Sequence, residues 1–251
     1  MCESIEKAAV FNDKVINLST IKLSTCDIEC LCLFLTSSSH KQWVKVHLYG
    51  CYIQDRGLHI IHKYINESGI TITELRLSIN GLTQISSSFI SNIVLSCKVE
   101  TVVINGNPTI GDNEELYTML SHPSSVVDLL AMDNVALSST SCRALFAAVK
   151  DSTKLKILTI NHNNITDDVA DDIANALAVN KSLHTLDMYN PISGESMQLI
   201  LQALRANKIL DALTLPSCPP AIKEKLVSLK DEINDMRTKQ RITQHLKVRF
   251  I

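Results

Sequence analysis

The closest spacing of metal-type side chains in the chain is Cys26-x3-Cys30-x-Cys32. Zinc modules pair such a unit with a second cysteine pair or with two histidines. None follows here, because Cys2, Cys51, Cys97, Cys142 and Cys218 are scattered. Cys26 fits the turn position of a repeated pattern described below, and Cys30 and Cys32 then fall on the next helix, pointing different ways. His40, His47, His59 and His62 stand apart, the last two on the outer face of a predicted helix. The acidic run Asp167, Asp168, Asp171 and Asp172 lacks the ligand spacing of a calcium loop. It suits the first turns of a helix, where carboxylates are favoured by the helix dipole. No local signature of a Ser-His-Asp or Cys-His nucleophile occurs. The expectation is a chain that is not an enzyme and needs no metal or cofactor.

Composition points the same way. The 251 residues are 45% hydrophobic and only 4% aromatic, which suits a core of stacked aliphatic layers. A net charge of −2 offers no general attraction to nucleic acid or to an anionic membrane, so neither is expected as a partner. Met1 to Asp13 lacks the pattern of a secretory signal, and no apolar run approaches the 18 or so residues of a membrane span. Eight cysteines on apolar pattern positions read as reduced thiols, and a cytoplasmic location is expected. The four N-x-S/T matches are then chance occurrences.

The elements that carry these residues recur. Residues 155–165 read LKILTINHNNI, with Leu155, Leu158, Ile160, Asn163 and Ile165 at offsets 0, 3, 5, 8 and 10. The same register appears from Leu18, Trp43, Ile72, Val99, Val127, Leu183 and Leu210, at intervals of 25 to 29 residues. Apolar residues at offsets 3 and 5 share one face of a short strand. Asn or Cys at offset 8 sits where the chain turns inward and can bond orphaned backbone groups. The remainder reads as a helix, as in 166–180, where Val169, Ile173 and Leu177 are spaced by four. No single unit can bury its own apolar face, so the units must stack. An α/β solenoid follows: parallel strands on a concave face and helices on a convex one. Asn107-Pro108-Thr109-Ile110 adds a residue to its turn, Val135 stands where Asn is expected, and Asn190-Pro191-Ile192 is one residue short.

Three segments are expected: an N-terminal cap over 1–14, helical or irregular; a solenoid of about eight repeats over 15–218; and a C-terminal helix over 219–251. Pro216, Pro219 and Pro220 break the pattern before that helix. In it, Ile222, Leu226, Leu229, Ile233 and Met236 follow heptad spacing over two heptads. They predict either an amphipathic helix closing the last repeat or a short coiled coil through which the chain self-associates.

Units of about 28 residues with L-x-x-L-x-L-x-x-N/C-x-I followed by a helix resemble leucine-rich repeats of the ribonuclease-inhibitor-like subtype. The likeness extends to the C-terminal repeat regions of NOD-like receptors and covers about residues 15–218. No G-x-x-x-x-G-K-[ST] loop accompanies it. The resemblance implies a leucine-rich-repeat horseshoe and a protein partner, of no identity the sequence gives. Innate immune sensing is one implied setting. Enzyme inhibition, GTPase regulation and a structural place in a cytoskeletal assembly are others.

Outward strand residues would line the concave face. At offset 4 they are Lys22, His47, Arg76, Val103, Ala131, Thr159, Asp187 and Thr214; at offset 6, Ser24, Tyr49, Ser78, Asn105, Asp133, Asn161, Tyr189 and Pro216. Two groups hold residue types common at binding hot spots: Lys45, His47, Tyr49 and Arg76, then Asp133, His162, Asp187 and Tyr189. Polar residues flank the strands of any such solenoid, so composition alone makes these candidates and no more.

Overall fold

The computed structural model describes residues 10–12, 15–36, 44–66, 68–240 and 242–251. Strands β1 (Val10–Asn12) and β2 (Val15–Asn17) lead into α1 (Thr25–Thr36), β3 (Val44–His47), α2 (Gln54–Ile65) and β4 (Ile72–Arg76). Then come α3 (Ser87–Cys97), β5 (Thr101–Val103), α4 (Thr118–Ser121), β6 (Leu129–Ala131), α5 (Ser139–Asp151) and β7 (Ile157–Thr159). The rest is α6 (Ala170–Val179), β8 (Thr185–Asp187), α7 (Gly194–Ala203), β9 (Ala212–Leu215), α8 (Pro220–Lys239) and β10 (Lys247–Phe250). All ten strands form one sheet in chain order. Strands β2 to β10 run parallel, and β1 alone pairs antiparallel, with β2. With helices between successive strands, this is the horseshoe solenoid that the periodicity predicts. No helix among the described residues is long and apolar enough to cross a membrane.

The spine is built from the offset-3 and offset-5 side chains. Val46, Leu75, Val102, Leu130, Leu158, Leu186 and Leu213 lie in one buried row. Leu48, Leu77, Ile104, Met132, Ile160, Met188 and Leu215 lie in the next. Burial of a Leu, Ile or Val side chain stabilises by roughly 1.5–3 kcal/mol, so rows of this length outweigh weak strand propensity in three-residue strands. On the convex side, α4 is a single short turn preceded by a 3-10 turn at Glu114–Tyr117. Pro123 stops it, forcing His122 into extended backbone. Tyr117 fills the space a longer helix would take and donates its hydroxyl to Gly111 O, 2.5 Å away.

The inward asparagines tie each repeat to the one before. Asn80 Oδ1 accepts from Cys51 N and Ile53 N, while its amide donates to Leu48 O and Leu77 O. Asn107 repeats this one step on, accepting from Asn80 N (2.9 Å) and Leu82 N (3.1 Å) and donating to Leu77 O and Ile104 O. Asn163 and Asn190 do the same for later repeats. At the one cysteine rung, Cys51 Sγ donates to Leu18 O at 3.0 Å, the smaller group making the single bond it can reach.

Both ends differ from the sequence reading. In the first repeat Ile16 lies opposite Val46 and Asn17 opposite His47, so Leu18 takes the offset-5 place and not offset 0. The five-residue shift puts Asp13 at offset 0 and Ile21 at offset 8, so the motif favours the register from Leu18, and strand pairing overturns it. Lys22 and Ser24 therefore leave the strand row, and Cys26 sits in α1 and not at the turn. Of the 1–14 cap, Val10–Asn12 is a strand and the rest lies outside the described residues. Trp43 and His40 also lie outside them.

The tail is a helix of 20 residues followed by a strand of four. Leu226, Leu229 and Ile233 of α8 are buried against the preceding repeat. Ile222 lies so close to Gly194 that a Cβ there would stand 2.5 Å from Ile222 Cγ2. The heptad stripe that a coiled coil would need is thus spent within the chain. Arg237, buried, donates to Leu210 O and Asn207 O, both at 2.9 Å. It extends a row in which Asn180 and Asn207 each bond carbonyls of the previous repeat. The expected helix closing the last repeat is present, and beyond it β10 pairs in parallel with β9.

Replacing Asn107 by Ala would orphan three buried backbone groups, Asn80 N, Leu82 N and Ile104 O, and leave Leu77 O with the Asn80 amide alone. We expect urea denaturation to show a loss of about 2–4 kcal/mol, against well under 1 kcal/mol for the exposed Lys181→Ala.

Candidate concave binding face

The register of the sheet defines two outward rows. Asn17, His47, Arg76, Val103, Ala131, Thr159, Asp187, Thr214 and Arg249 are successive partners in one. Val15, Lys45, Glu74, Thr101, Leu129, Ile157, Thr185, Ala212 and Lys247 form the other, two residues earlier on each strand. Neighbouring strands lie about 4.8 Å apart, so each row is a ladder of side chains at near-contact spacing.

At the N-terminal end of the face the structure brings Lys45, His47 and Arg76 together on Glu74, a residue the sequence reading passed over. Lys45 Nζ lies 3.1 Å from Glu74 Oε2 and His47 Nε2 3.0 Å from Oε1, and Arg76 Nε donates to Oε1 as well. Glu74 is 13% exposed, whereas Lys45 and Arg76 are 47% and 45% exposed. Burial pushes the Glu74 carboxyl up, yet the bonds from Arg76 and Lys45 outweigh it and hold it below the ordinary value. The outcome is a knot with one shielded anion and an outward surplus of cations. Tyr49 follows on the adjoining turn, 45% exposed.

The middle of the face is apolar. Val103 and Ala131 are buried, Leu129 and Ile157 half-buried, and Thr159 Oγ1 is buried with no hydrogen-bond partner. Beyond it Asp133, His162 and Tyr189 of the second predicted group are linked, while Asp187 pairs elsewhere. Asp187 accepts from Thr214 Oγ1 at 2.5 Å. Asp133 accepts from Asn161 N (2.7 Å), and Asn161 Oδ1 accepts from Tyr189 N (2.8 Å), so Asp133 and Tyr189 are joined through Asn161. His162 meets the Tyr189 ring edge-on at 5.0 Å, beside a cleft of about 290 Å³ bordered by Pro191 and Pro216. Past Asp187 the face turns basic again, because β10 adds Lys247 and Arg249 to the two rows.

Little here is poised for covalent chemistry. Burial pushes the Cys32 and Cys142 thiols up to about 12 and Cys51 to about 11, so their nucleophilic thiolates are suppressed at neutral pH. Among the described residues no three His, Cys, Asp or Glu side chains are placed to hold a metal. The acidic run ties repeats together. Asp167 accepts from Ser193 N and Ser196 Oγ at the start of α7, and Asp168 and Asp172 pair with Arg143 of α5. Asp55 caps the following helical turn through Thr83 and Ser86, and Asp112 does so through Ser138 and Ser141.

No protein-family model matches the chain. Over 156 residues, 60% of its length, it is 24% identical to NACHT, LRR and PYD domains-containing protein 3 of Mus musculus. Over 222 residues, 86% of its length, it is 23% identical to NACHT, LRR and PYD domains-containing protein 14 of Homo sapiens. The chain is leucine-rich-repeat-like. It spans only 15% and 20% of the length of those two proteins. Among solved structures it is similar to leiomodin-1 actin-binding site 2, at 22% identity and a TM-score of 0.40, over 46% of this chain and 64% of that one.

Because the Glu74 carboxyl is depressed in the fold, its stabilising effect is present above the unfolded carboxyl range and is lost as pH falls through the lower folded value. Glu74→Gln should cost about 1–2 kcal/mol at pH 7 and flatten the fall in stability between about pH 5 and 3, as read by denaturation at a series of pH values.

Proposed function

We propose that the chain is a non-catalytic protein-interaction module that docks a partner protein on its concave face. The carrying observation is the sequence of environments along that face: a cationic knot at Lys45, His47 and Arg76, then an apolar trough at Val103, Leu129, Ala131 and Ile157. An apolar centre rimmed by charge is the composition of a protein interface core and its border. The unpartnered Thr159 hydroxyl inside the trough adds a polar group for a ligand to satisfy. Rigid strands supply the platform, so little ordering entropy is lost when a partner arrives.

Convex helices and a repeat of 27 to 29 residues support the ribonuclease-inhibitor-like subtype. The likeness to two proteins that carry NACHT and LRR in their names supports a role like that of a NOD-like receptor's repeat region, in innate immune sensing. Enzyme inhibition, GTPase regulation and a cytoskeletal role rest on kinship of repeat type, and no residue of the face favours one of them.

Leu129→Arg places a long cation in the trough at a half-exposed position. Proteins recovered from lysate by the wild-type chain should be lost with this variant while its circular dichroism spectrum is unchanged. Recovery of the same partners in equal amount would rule out the concave face.

A further inference from the structure

Three of the most exposed apolar side chains stand on adjoining turns at the C-terminal ends of β3 and β4. Tyr49 is 45% exposed, Tyr52 66% and Ile79 51%. Gly50 N donates to Ser78 O at 2.9 Å, which sets Ile79 directly across from the turn bearing both tyrosines. Ile79 has φ +54, the left-handed region that a β-branched residue seldom adopts. The corresponding position in other repeats is held by Thr20, Gly50, Gly106, Asn134 and His162, all at positive φ, so the turn imposes the conformation, and Ile79 is the large apolar side chain among them. Gly106 leaves the room Ile79 needs, since a Cβ there would lie 2.9 Å from Ile79 Cγ1. Folding alone is served better by Gly or Asn at 79. Strained backbone that exposes an apolar side chain to water is a mark of a functional site.

The charge around this ridge is positive. Lys45, His47 and Arg76 share the single carboxylate of Glu74 on the adjoining face. Thr20 N donates to Tyr49 O, so Lys22, exposed two residues later, holds on its own turn the place that Tyr52 holds on the next. A register error in sequence reading places Lys22 on a strand; strand pairing moves it to the rim beside Tyr52.

We propose that Tyr49, Tyr52 and Ile79 form an anchoring ridge for a partner-protein segment in which apolar side chains alternate with carboxylates. The ridge takes the apolar groups, and Lys22, Lys45 and Arg76 take the acids. This rests on the reading of the chain as a docking module and adds the place and chemistry of one contact. A purely apolar segment would leave the surplus of cations around Glu74 unneutralised, and acids without apolar neighbours would leave the ridge wet.

The test is fluorescence anisotropy on the full chain with four labelled dodecapeptides of alternating Glu/Leu, Gln/Leu, Lys/Leu and Glu/Ser. The Glu/Leu peptide should bind saturably and more weakly as salt is added, with the other three at least tenfold weaker. Ile79→Asn should weaken it at least tenfold while raising Tm, which separates lost binding from lost folding. Tyr49→Ser with Tyr52→Ser should weaken it to a similar degree, and Val179→Ser, which removes an equally exposed apolar side chain on α6, should leave it unchanged. No binding of the Glu/Leu peptide, equal binding of any other peptide, full binding by Ile79→Asn, or loss of binding in Val179→Ser each overturns the ridge. The concave-face reading fails separately, when Leu129→Arg retains its lysate partners.

Discussion

A turn that follows a three-residue strand leaves backbone N–H and C=O groups that its own residues cannot reach, and in this chain the next repeat supplies what is missing. Asn80 closes the turn of the preceding repeat, Asn107 closes that of Asn80, and Asn190 that of Asn163. Each rung is useful only with a neighbour in place, so the unit of stability is the pair of repeats and not the repeat. The same dependence explains the C-terminal end. Arg237 donates to the carbonyls of residues 207 and 210, and α8 lays Leu226, Leu229 and Ile233 over the last layer. A charged guanidinium is buried there because carbonyl oxygens meet it. Burial by itself lowers its proton affinity, and nearby Asp211 works in the opposite direction.

Three interaction systems run in parallel with one translation of about 28 residues. Aliphatic rows fill the interior, amides bridge the turns, and carboxylates at Asp55, Asp112 and Asp167 cap the helical starts one repeat onward. Each fixes the same displacement between neighbours, which leaves little freedom for a strand to slip. The concave rows inherit that regularity. Their side chains stand at set intervals whatever their identity, so the binding chemistry is written by composition on a rigid ruler. The N-terminal half of the face is charged and ringed by exposed Tyr and Ile, and the centre is apolar.

The architecture was legible because burial imposes periodic demands on residue type. Leu, Ile and Val at offsets 3 and 5 with Asn at offset 8 admit one kind of stacking, and the strands appear in that register from Val44 onward. At Leu18, Ile21, Leu23, Cys26 and Ile28 the motif is complete, yet the strand lies five residues earlier, because backbone pairing with β3 and not side-chain spacing fixes the register. The tail left two outcomes open because a heptad stripe states that a helix needs a cover and says nothing of which surface provides it. Within the candidate site, Lys45, His47 and Arg76 were visible as outward residues. Glu74 stands two places before Arg76, at the offset Lys45 holds on its own strand, and only the fold shows that its carboxylate meets all three bases.

By itself the sequence determined the repeat, the parallel strands, the convex helices and the inward asparagines, since each follows from what a residue must do about water. Tertiary structure decided which side chains meet. It set Glu74 among three basic groups, turned Asp187 toward Thr214, made the acidic run into ties between repeats, and closed the sheet with Lys247–Phe250. Apart from Arg76 and Glu74 on one strand, these contacts join residues 25 to 35 positions apart, and only the displacement between repeats, a property of the folded stack, brings them within bonding distance.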